Sequence, residues 1–550
     1  MNTRPQRYSA KQALDLIQDA NEMDSGDEEL ELDIEFDSAS ESDSEVETET
    51  ATTTEFVSER EERANDGTVW VEQTAGNALG RAPSCNILRE KAGPTRCAKE
   101  NIVSPLSSLL CLIDILMWGQ IVKYTVAEAH RNGAENWDLS VDELKAFVGL
   151  LYLRGITGGK SMNLEDFWSS DLGNPFFNET MSRQRFRDIM RYLRFDDKDT
   201  RATRLEKDKF AIISEIWSKF VSNSTACYTP GENITVDEQL FPTKARCRFT
   251  QYIATKPDKF GIKFWIAADV ETKYMLNAFP YLGKDEARPV GERLADNVVM
   301  RLVEPFVGKG RNITSDNFFT SIALANNLHA KKTTLVGTMN KKRREVPPSA
   351  KAQNQERFST TIWRAGHATL TVYQCKPKKN VCILSTMHKT VSIDTDAKKL
   401  PETIAHYNAT KMGVDVLDQM ARLYSVKGGS RRWPVAVFYN ILDLAAINAH
   451  VLYTQCMNKT ISRRRFILEL AKELRANHMT AKAAPRRTVL APLCSPETPN
   501  TPQRERSLKR KRCQVSRCGG NKTCDICDKC KRLVCGKCTK MQPKLCLEYY

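Results

Sequence analysis

Two aspartates in this chain stand where a run rich in β-branched residues ends. Asp237 follows the run at 233–236, and Asp316 follows the run at 312–315. A carboxylate at the end of a buried strand projects from the edge of the sheet, where a metal ion can be held rigidly. These two positions therefore predict a carboxylate site at a sheet edge.

Two further aspartates, Asp415 and Asp418, lie three residues apart and would share one face of a helix. Carboxylates from two strands and a helix can hold two divalent ions about 3.5 to 4 Å apart, which act on the attacking and leaving oxygens of a phosphodiester. Mg²⁺ suits such a site because it prefers oxygen ligands. Spacing does not prove convergence, however, and a single aspartate is more often a cap or turn residue.

The C-terminal segment contains cysteines with the spacing of thiolate metal ligands. Eight of the 17 cysteines cluster there, namely Cys513, Cys518, Cys524, Cys527, Cys530, Cys535, Cys538 and Cys546. Pairs two or four residues apart suit tetrahedral Zn²⁺, and two structural Zn²⁺ ions would use all eight thiols. The odd total and the clustering argue against a secreted disulfide framework. A RING-like module that binds proteins remains the alternative.

Basic residues surround these cysteines and indicate contact with nucleic acid. The candidates for DNA binding are Lys509, Arg510, Lys511, Arg512, Lys529, Lys531 and Arg532. The net charge is +14, although residues 12–59 hold 18 acids and no Lys or Arg, so the remainder carries +32. Such a surplus is typical of proteins that neutralise phosphates, although ribosome-like or anionic-membrane binding would give the same sum. The run 509–512 also fits a nuclear import signal.

The elements that must position these residues are predicted from composition and periodicity. Residues 1–100 are rich in Ser, Thr, Asp and Glu and are predicted to be disordered. A capping box at Ser140 predicts a helix, and further helical segments follow. Between 231 and 341, the order of strand, hairpin, helix, strand, helix and strand predicts a mixed α/β sheet.

The second half of the chain changes character twice. Residues 342–402 contain short β-like runs, for which an inserted β-rich module is favoured over a continuation of the sheet. Helices then resume, and Pro434 suits the first turn of one of them. No stretch reaches the roughly 18 to 20 apolar residues of a membrane-spanning helix, and no signal peptide is apparent, so a soluble intracellular protein is expected.

Four motifs, taken in chain order, resemble those of the piggyBac transposase family. They are Thr235-Val236-Asp237-Glu238-Gln239-Leu240, Lys256-Pro257-Asp258-Lys259-Phe260-Gly261-Ile262-Lys263, Asp316-Asn317-Phe318-Phe319-Thr320-Ser321 and Gly413-Val414-Asp415-Val416-Leu417-Asp418-Gln419. The similarity extends from about residue 100 to the C terminus. Chance agreement of four ordered motifs is very improbable.

The resemblance implies a multidomain α/β architecture. Its parts are an RNase H-like catalytic core with a β-rich insertion, a split helical domain for DNA binding and dimerisation, and a C-terminal zinc-binding cross-brace. The expected segments are a disordered acidic region at 1–100, the helical domain at 101–230 and 431–480, the core at 231–341 and 403–430, the insertion at 342–402, a basic linker at 481–512 and the cysteine-rich domain at 513–550.

The resemblance also implies a metal-binding triad, which matches Asp237, Asp316 and Asp415, and a fourth important aspartate, which matches Asp418. The implied chemistry is Mg²⁺-dependent cut-and-paste transposition, in which excised ends pass through hairpins and join TTAA sites. The implied partners are double-stranded DNA, as terminal repeats and target, and a second copy of the chain. The implied location is the nucleus.

The family's cross-brace recognises the transposon's terminal repeats, and the resemblance gives this role to the eight cysteines. The pattern departs from the family's where the Cys524, Cys527 and Cys530 spacings overlap, and where Cys546 has no Cys or His two residues later. Two other interpretations stay open. A host-recruited relative would bind repeat-derived DNA as a nuclear regulator without cleaving it, and a zinc module such as that of a ubiquitin ligase would bind proteins.

Overall fold

The computed structural model describes residues 60–76, 87–483 and 511–538, apart from 160–161, 255, 257, 284–290, 353–354, 517, 519–520, 524 and 528–531. The described residues fall into two compact units. The first comprises those up to Tyr124, Arg154–Lys160 and Leu193–Ile467. The second comprises Thr125–Leu153, Ser161–Tyr192 and those from Leu468 onward. All four candidate aspartates belong to the first unit, and the described cysteines of the C-terminal segment belong to the second.

One sheet of eleven strands forms the centre of the first unit. The strands are β1 (Glu61–Arg63), β2 (Val69–Gln73), β3 (Asn233–Pro242), β4 (Thr250–Tyr252), β5 (Phe260–Asp269), β6 (Met275–Pro280), β7 (Asn312–Ser315), β8 (Thr334–Thr338), β9 (Thr360–Ala365), β10 (Ala368–Lys376) and β11 (Lys379–Ser385). Their order is β1-β2-β9-β10-β11-β8-β7-β3-β5-β4, and β6 pairs with β5. Strand β7 is parallel to both β3 and β8, whereas the other pairs are antiparallel.

Fifteen α-helices are present among the described residues. They are α1 (Arg96–Asn101), α2 (Pro105–Leu110), α3 (Ile115–Arg131), α4 (Val141–Ile156), α5 (Pro175–Thr180), α6 (Arg183–Tyr192), α7 (Arg201–Lys207), α8 (Ser214–Cys227), α9 (Leu294–Val303), α10 (Ile322–Ala330), α11 (Pro348–Lys351), α12 (Glu402–Thr410), α13 (Gly413–Leu423), α14 (Trp433–Met457) and α15 (Arg463–Ala483). The predicted mixed α/β character is confirmed. The predicted N-cap of α4 is also present, because Ser140 Oγ accepts the backbone N–H of Glu143 at 3.1 Å.

Helix α14 forms the helical core of the first unit. It begins with Pro434 in its first turn and ends at Asn458, which adopts a left-handed φ of 49°. Within the described ranges it is the one helix long and apolar enough to cross a membrane, but 94% of its most apolar window is buried inside the protein. Its apolar residues therefore serve core packing.

The interpretation of residues 342–402 as a module separate from the sheet is wrong. They do contain three strands, but β11 pairs antiparallel with β8, so that β11, β10 and β9 extend the central sheet. Pairing satisfies the row of backbone groups that the edge of β8 would otherwise expose. The boundaries at 342 and 402 stay predictions.

The expected disorder of residues 1–100 is wrong for the part that the structure describes. Strands β1 and β2 continue the sheet beyond β9, and α1 follows them. Trp70 on β2 is fully buried, and its Nε1–H donates to Glu345 O at 2.8 Å. Burial of this large side chain offsets the entropy of ordering the segment. Residues 1–59, including the acidic run, lie outside the described residues.

The second unit is mainly helical, with α4, α5 and α6 contributing most of its core. Its aromatic residues pack in a chain of ring contacts, in which Phe147 contacts Phe186, Phe186 contacts Trp168, and Trp168 contacts Phe177, at centroid distances of 4.8 to 5.1 Å. Arg185 on α6 forms a bidentate ion pair with Glu143 of α4 at 2.7 Å. At least one of the basic residues on α6 therefore has a structural partner.

Candidate active site

Asp237 and Asp316 occupy neighbouring positions on two parallel strands. Val236 of β3 pairs with Ser315 of β7, and each aspartate is the next residue in the chain. Strand β7 ends at Ser315, so Asp316 follows its carboxyl end, whereas β3 continues to Pro242, and the prediction that Asp237 ends its strand is wrong. Asp237 instead lies in the middle of β3, beside the edge at which β7 ends, and such carboxyl edges are where α/β proteins bind ligands. Both side chains are partly exposed. The structure thus places the two residues side by side, as the sequence predicted.

The loop after β7 fixes the position of Asp316. The backbone N–H groups of Phe318 and Phe319 donate to its Oδ1 at 3.0 and 3.4 Å. The Thr320 hydroxyl donates to the Asp316 carbonyl at 2.8 Å. These bonds form a tight turn that leaves the other carboxylate oxygen available to a ligand.

Asp415 reaches the same region from the first turn of α13. A Cβ added at Gly413 would lie 2.6 Å from Thr235 Oγ1, so a residue without a side chain is needed where the helix meets β3. Thr235 Oγ1 donates to Thr410 O at 2.6 Å, which anchors the end of α12 to the same strand. The start of α13 therefore packs against Thr235, which lies two residues before Asp237 on β3.

Burial and neighbouring carboxylates raise the pKa values of Asp237 and Asp316. Burial raises the pKa of Asp237 well above its ordinary value, and the negative charges of Glu238, Asp316 and Asp415 raise it further. Burial, with a contribution from Glu238, raises the pKa of Asp316 to about 6. Like charges held close together in a partly desolvated site favour a proton or a cation between them. The electrostatics are therefore those of a cation site.

The donor set of this site fits Mg²⁺. Asp237, Asp316 and Asp415 offer carboxylate oxygens, which are the ligands that this hard cation prefers. In the described parts of the chain, three or more ligand atoms lie within 4.8 Å of one another only in a cysteine cluster, so the three carboxylates are more widely spread. A spread set fits a pair of ions better than one ion shared by all three.

Asp418 differs from the other three aspartates. Its Oδ1 accepts from Gln239 Nε2 at 3.0 Å, and its Oδ2 accepts from Arg422 Nε at 3.0 Å. Asn440 on α14 in turn donates to Gln239 Oε1 at 2.8 Å. Both oxygens of Asp418 are therefore bonded to protein groups, and the buried side chain ties α13 to β3 and α14. This geometry suits a positioning role rather than metal coordination.

The site contains three charged residues that were not predicted from the sequence, namely Lys256, Lys263 and Glu238. Lys256 Nζ lies 3.4 Å from Asp415 Oδ1, and Lys263 Nζ lies 3.4 Å from Glu238 Oε2. The signal was present, because both lysines belong to the second of the four motifs and Glu238 directly follows Asp237. The charges of the two lysines partly neutralise the carboxylates.

A cavity of about 570 Å³ adjoins the site on the side of Asp418. Its lining includes three basic residues, Lys244, Arg422 and Lys427, and three acidic ones, Asp258, Asp418 and Asp443. Arg422 forms ion pairs with Asp258 and Asp418. The cavity is therefore polar and of mixed charge.

Four cysteines of the C-terminal segment converge on one point. The Sγ atoms of Cys513, Cys518, Cys535 and Cys538 all lie within 4.8 Å of one another. A hydrogen bond from Asn521 Nδ2, 3.6 Å from the Cys535 Sγ, lowers the pKa of that thiol to about 6. A four-thiol cluster with a ready thiolate fits tetrahedral Zn²⁺.

The other predicted zinc ligands are divided between the described and undescribed parts. Cys527 is buried and is not among the four clustered thiols. It follows the Cys513–Cys518 pair and precedes the Cys535–Cys538 pair, so the cluster joins two pairs that are not consecutive in the chain. This alternation fits a cross-brace. Cys524, Cys530 and Cys546 lie outside the described residues.

The structure describes few of the predicted DNA-binding residues. Lys511–Arg512 pairs with Lys522–Thr523 as a short ladder, and Arg512 is exposed. Arg532 is also exposed, and its carbonyl accepts the N–H of Cys527 at 2.8 Å. Four of the candidates, Lys509, Arg510, Lys529 and Lys531, lie outside the described residues. Their contact with DNA stays a prediction.

A protein family model and two curated human proteins are similar to this chain. A family model described as Transposase IS4 matches residues 104–450. Two human proteins are similar: PiggyBac transposable element-derived protein 3 is 26% identical over 371 residues, 64% of this chain, and PiggyBac transposable element-derived protein 2 is 22% identical over 380 residues, 65% of this chain. The chain spans 61% and 63% of the lengths of these curated relatives.

A solved structure is also similar. It is the cryo-EM structure of the piggyBac transposase synaptic complex with hairpin DNA, which matches with a TM-score of 0.69 and 33% sequence identity. The match covers 84% of this chain and 100% of that one. The likeness therefore extends well beyond the sheet and its carboxylates.

Proposed function

Because the chain belongs to the piggyBac-type transposase family, we propose that it is a Mg²⁺-dependent DNA transposase with Asp237, Asp316 and Asp415 as its metal ligands. The observation that carries this proposal is that Asp237 and Asp316 lie side by side where β3 pairs with β7. The negative charge of Asp415 also raises the pKa of Asp237. Three carboxylates from distant parts of the chain thus share one region of negative charge.

The chain's own residues would divide the work at this site. When bound, two Mg²⁺ ions supply a nucleophilic oxygen at neutral pH and stabilise charge on the leaving oxygen. The three aspartates hold the cations, and Lys256 is placed to contact a phosphate oxygen beside Asp415. Asp418 keeps α13 in position through Gln239 and Arg422.

The proposed fold of the core, the steps of the reaction, the oligomeric state and the location are those that the family resemblance implies. The sheet would be an RNase H-like catalytic core, and the reaction would be cut-and-paste excision through hairpin ends and integration at TTAA sites. The protein would act as a homodimer on two transposon ends in the nucleus. The similar solved structure is a synaptic complex with hairpin DNA, and this supports the proposal of DNA ends as the substrate.

The C-terminal segment would recognise the terminal repeats. The cluster of Cys513, Cys518, Cys535 and Cys538 would hold one Zn²⁺, and the remaining four cysteines would hold a second. Exposed Arg512 and Arg532 would then contact the phosphate backbone. Zinc would have a structural role here, since a short segment gains its folding energy from the metal.

A second candidate is a transposase-derived nuclear protein that binds DNA without cutting it. The observation that favours it is that the curated relatives are named transposable element-derived proteins. The two candidates predict the same DNA binding and differ in cleavage. The intact carboxylate set favours the first.

An excision assay separates the two candidates. A reporter interrupted by DNA with ends selected by binding to the protein would be tested with the wild type, with Asp237→Asn and with Asp396→Asn, an exposed aspartate outside the cluster. We expect the wild type and Asp396→Asn to excise the insert, and Asp237→Asn to bind the ends without excision. Binding by the wild type with no excision would establish the second candidate.

A further inference from the structure

Phe318 presents a large apolar ring at the surface beside the candidate active site. The residue is 42% exposed, and its backbone N–H donates to Asp316 Oδ1 at 3.0 Å. The carboxylate chemistry proposed above makes no use of this ring. Single exposed apolar residues are common on protein surfaces, but this ring lies two residues from a proposed metal ligand.

Trp265 supports the Phe318 ring from below. The two ring centroids are 5.7 Å apart and the planes differ by 13°, which is an offset parallel stack. Trp265 is 2% exposed, so it backs the ring without reaching the surface itself. Phe319 packs edge-on against Phe318 at 5.0 Å and 88°. We call Phe318 with Trp265 beneath it the aromatic platform.

The backbone of the loop that carries Phe318 is held by two arginines. Arg293 donates to the carbonyl of Phe319 at 3.0 Å and also to the carbonyl of Phe318. Arg343 Nη2 lies 3.4 Å from the carbonyls of both Asn317 and Phe318. A site held in this way binds with a smaller entropic cost than a mobile loop.

The charges around the platform suit a nucleic acid. Lys263 Nζ lies 3.9 Å from the Trp265 centroid and 5.6 Å from the Phe318 centroid. Arg293 and Arg343 lie at the backbone carbonyls of the same loop, where each also pairs with an acidic residue. An apolar ring with a lysine ammonium near it complements a nucleotide, in which a flat base is joined to a phosphate.

We infer that the aromatic platform binds an unpaired nucleobase next to the phosphodiester that is cleaved at the three aspartates. The inference rests on the proposed function and specifies how the substrate is held. A phosphate in a paired and stacked duplex is hard to bring against carboxylates at a sheet edge, and displacing one base frees the backbone to approach. Stacking on Phe318 replaces the stacking that this base loses, and any base can use it because every base has a π-face.

Strand cleavage on synthetic end duplexes tests the role of the ring. The end sequences are those selected by binding to the wild-type protein, and a second duplex carries a mismatch beside the scissile phosphate. On the paired duplex, we expect Phe318→Ala to lower kcat/KM by about 5- to 150-fold, the loss that corresponds to one base–aromatic stack. Phe318→Tyr should retain most of the activity, and the mismatch should restore most of the activity of Phe318→Ala.

Photocrosslinking gives a readout that does not depend on cleavage. A 5-iodouracil replaces the base next to the scissile phosphate, and the complex is irradiated in EDTA. We expect the crosslinked peptide of the wild type to carry the modification on Phe318, and Phe318→Ala to lose that crosslink while still binding the duplex. Phe260→Ala is the matched control, because Phe260 is 46% exposed but packs against Tyr252 instead of a carboxylate loop.

The outcomes separate this inference from the proposed function. If the wild type cleaves neither duplex, the proposed function fails. If the wild type cleaves both and Phe318→Ala matches it on the paired duplex, the platform does not bind a base. An equal loss on the paired and mismatched duplexes, a crosslink that maps elsewhere, or a changed oligomeric state in Phe318→Ala would also overturn the inference.

Discussion

Lys256 and Asp415 form an ion pair, 3.4 Å between Nζ and Oδ1, that joins the loop after β4 to the first turn of α13. Although partial burial acts to lower the pKa of Lys256, the charges of Asp237 and Asp415 raise it overall. The ammonium group therefore stays protonated among carboxylates that would also bind cations. Its charge both stabilises the carboxylates and competes with a metal ion for them.

Removal of this charge should strengthen metal binding. In Lys256→Met we expect Mn²⁺, a probe for Mg²⁺, to bind about fivefold more tightly, since a partly exposed pair is worth about 1 kcal/mol. Isothermal titration calorimetry measures this affinity, and Lys259→Met, an exposed lysine three residues further on, is the control. Unchanged Mn²⁺ affinity would show that Lys256 and the metal do not share the carboxylates.

Asp415 and Asp418 lie on one helix but should differ in their effect on stability. The Asp418 side chain is 12% exposed and accepts hydrogen bonds on both oxygens, whereas that of Asp415 is 43% exposed. We expect Asp418→Ala to lower the free energy of unfolding by about 1–3 kcal/mol, because Arg422 and Gln239 lose their partner. We expect Asp415→Ala to change it by less than about 1 kcal/mol. Urea denaturation measures both, and equal losses would contradict the separate roles.

Stability should fall in mildly acidic solution because of a pair of half-buried histidines, His388 and His406. Burial and the charge of His406 together lower the pKa of His388 to about 4, while an unfolded histidine titrates at about 6.5. His388 is therefore neutral in the folded protein over a range where the unfolded chain binds a proton. Its contribution is fully present above pH 6.5 and is lost as the pH falls towards 4.

A histidine replacement isolates this effect. Between pH 7 and pH 5, we expect the free energy of unfolding to fall less in His388→Gln than in the wild type, by roughly 1–2 kcal/mol. His130 offers a control, because its Nε2 contacts only the carbonyl of Trp137 among the hydrogen bonds described, at 2.9 Å. The same pH dependence in the wild type and His388→Gln would exclude His388 as the source.

The C-terminal cysteine cluster should bind zinc independently of the aspartates. We expect Cys535→Ser to lose one equivalent of Zn²⁺ and to weaken the binding of terminal DNA, because the segment loses its structural metal. Cys97→Ser, an exposed cysteine outside the cluster, should retain its zinc. Metal analysis of the purified proteins measures the stoichiometry, and full zinc content in Cys535→Ser would contradict the assignment.

Local pattern was enough to predict the strands that carry Asp237 and Asp316. Strand β7 covers the predicted residues 312–315, since β-branched residues are enriched in strands and a short run of them can be recognised in the sequence. The pairing of distant strands carries no such local signal. Trp363 of β9 pairs with Glu72 of β2, nearly three hundred residues earlier, and this contact turns a segment predicted to be disordered into part of the sheet.

The candidate site shows the same difference between residues that local sequence reveals and contacts that only the tertiary structure reveals. The aspartates are recognisable because their residue type and position suit chemistry, and the register of β3 with β7 then brings two of them together. Lys256 could not be assigned a role from spacing, because its contact with Asp415 spans 159 positions. The bond of Asp418 to Gln239 is equally tertiary, whereas its bond to Arg422 lies within α13, and the two bonds together separate a positioning residue from a metal ligand on the same helical face.

The central claim is that Asp237, Asp316 and Asp415 bind the cations that drive strand cleavage, and a change of metal specificity at Asp316 tests it most directly. Cleavage of an end duplex would be measured for the wild type, Asp316→Asn and Asp316→Cys in Mg²⁺ and in Mn²⁺. We expect Asp316→Asn to lose at least about two orders of magnitude in both metals while binding DNA normally. Asp316→Cys should be inactive in Mg²⁺ and regain activity in Mn²⁺, which accepts a softer ligand. Cleavage by Asp316→Asn at the wild-type rate in Mg²⁺ would contradict the claim.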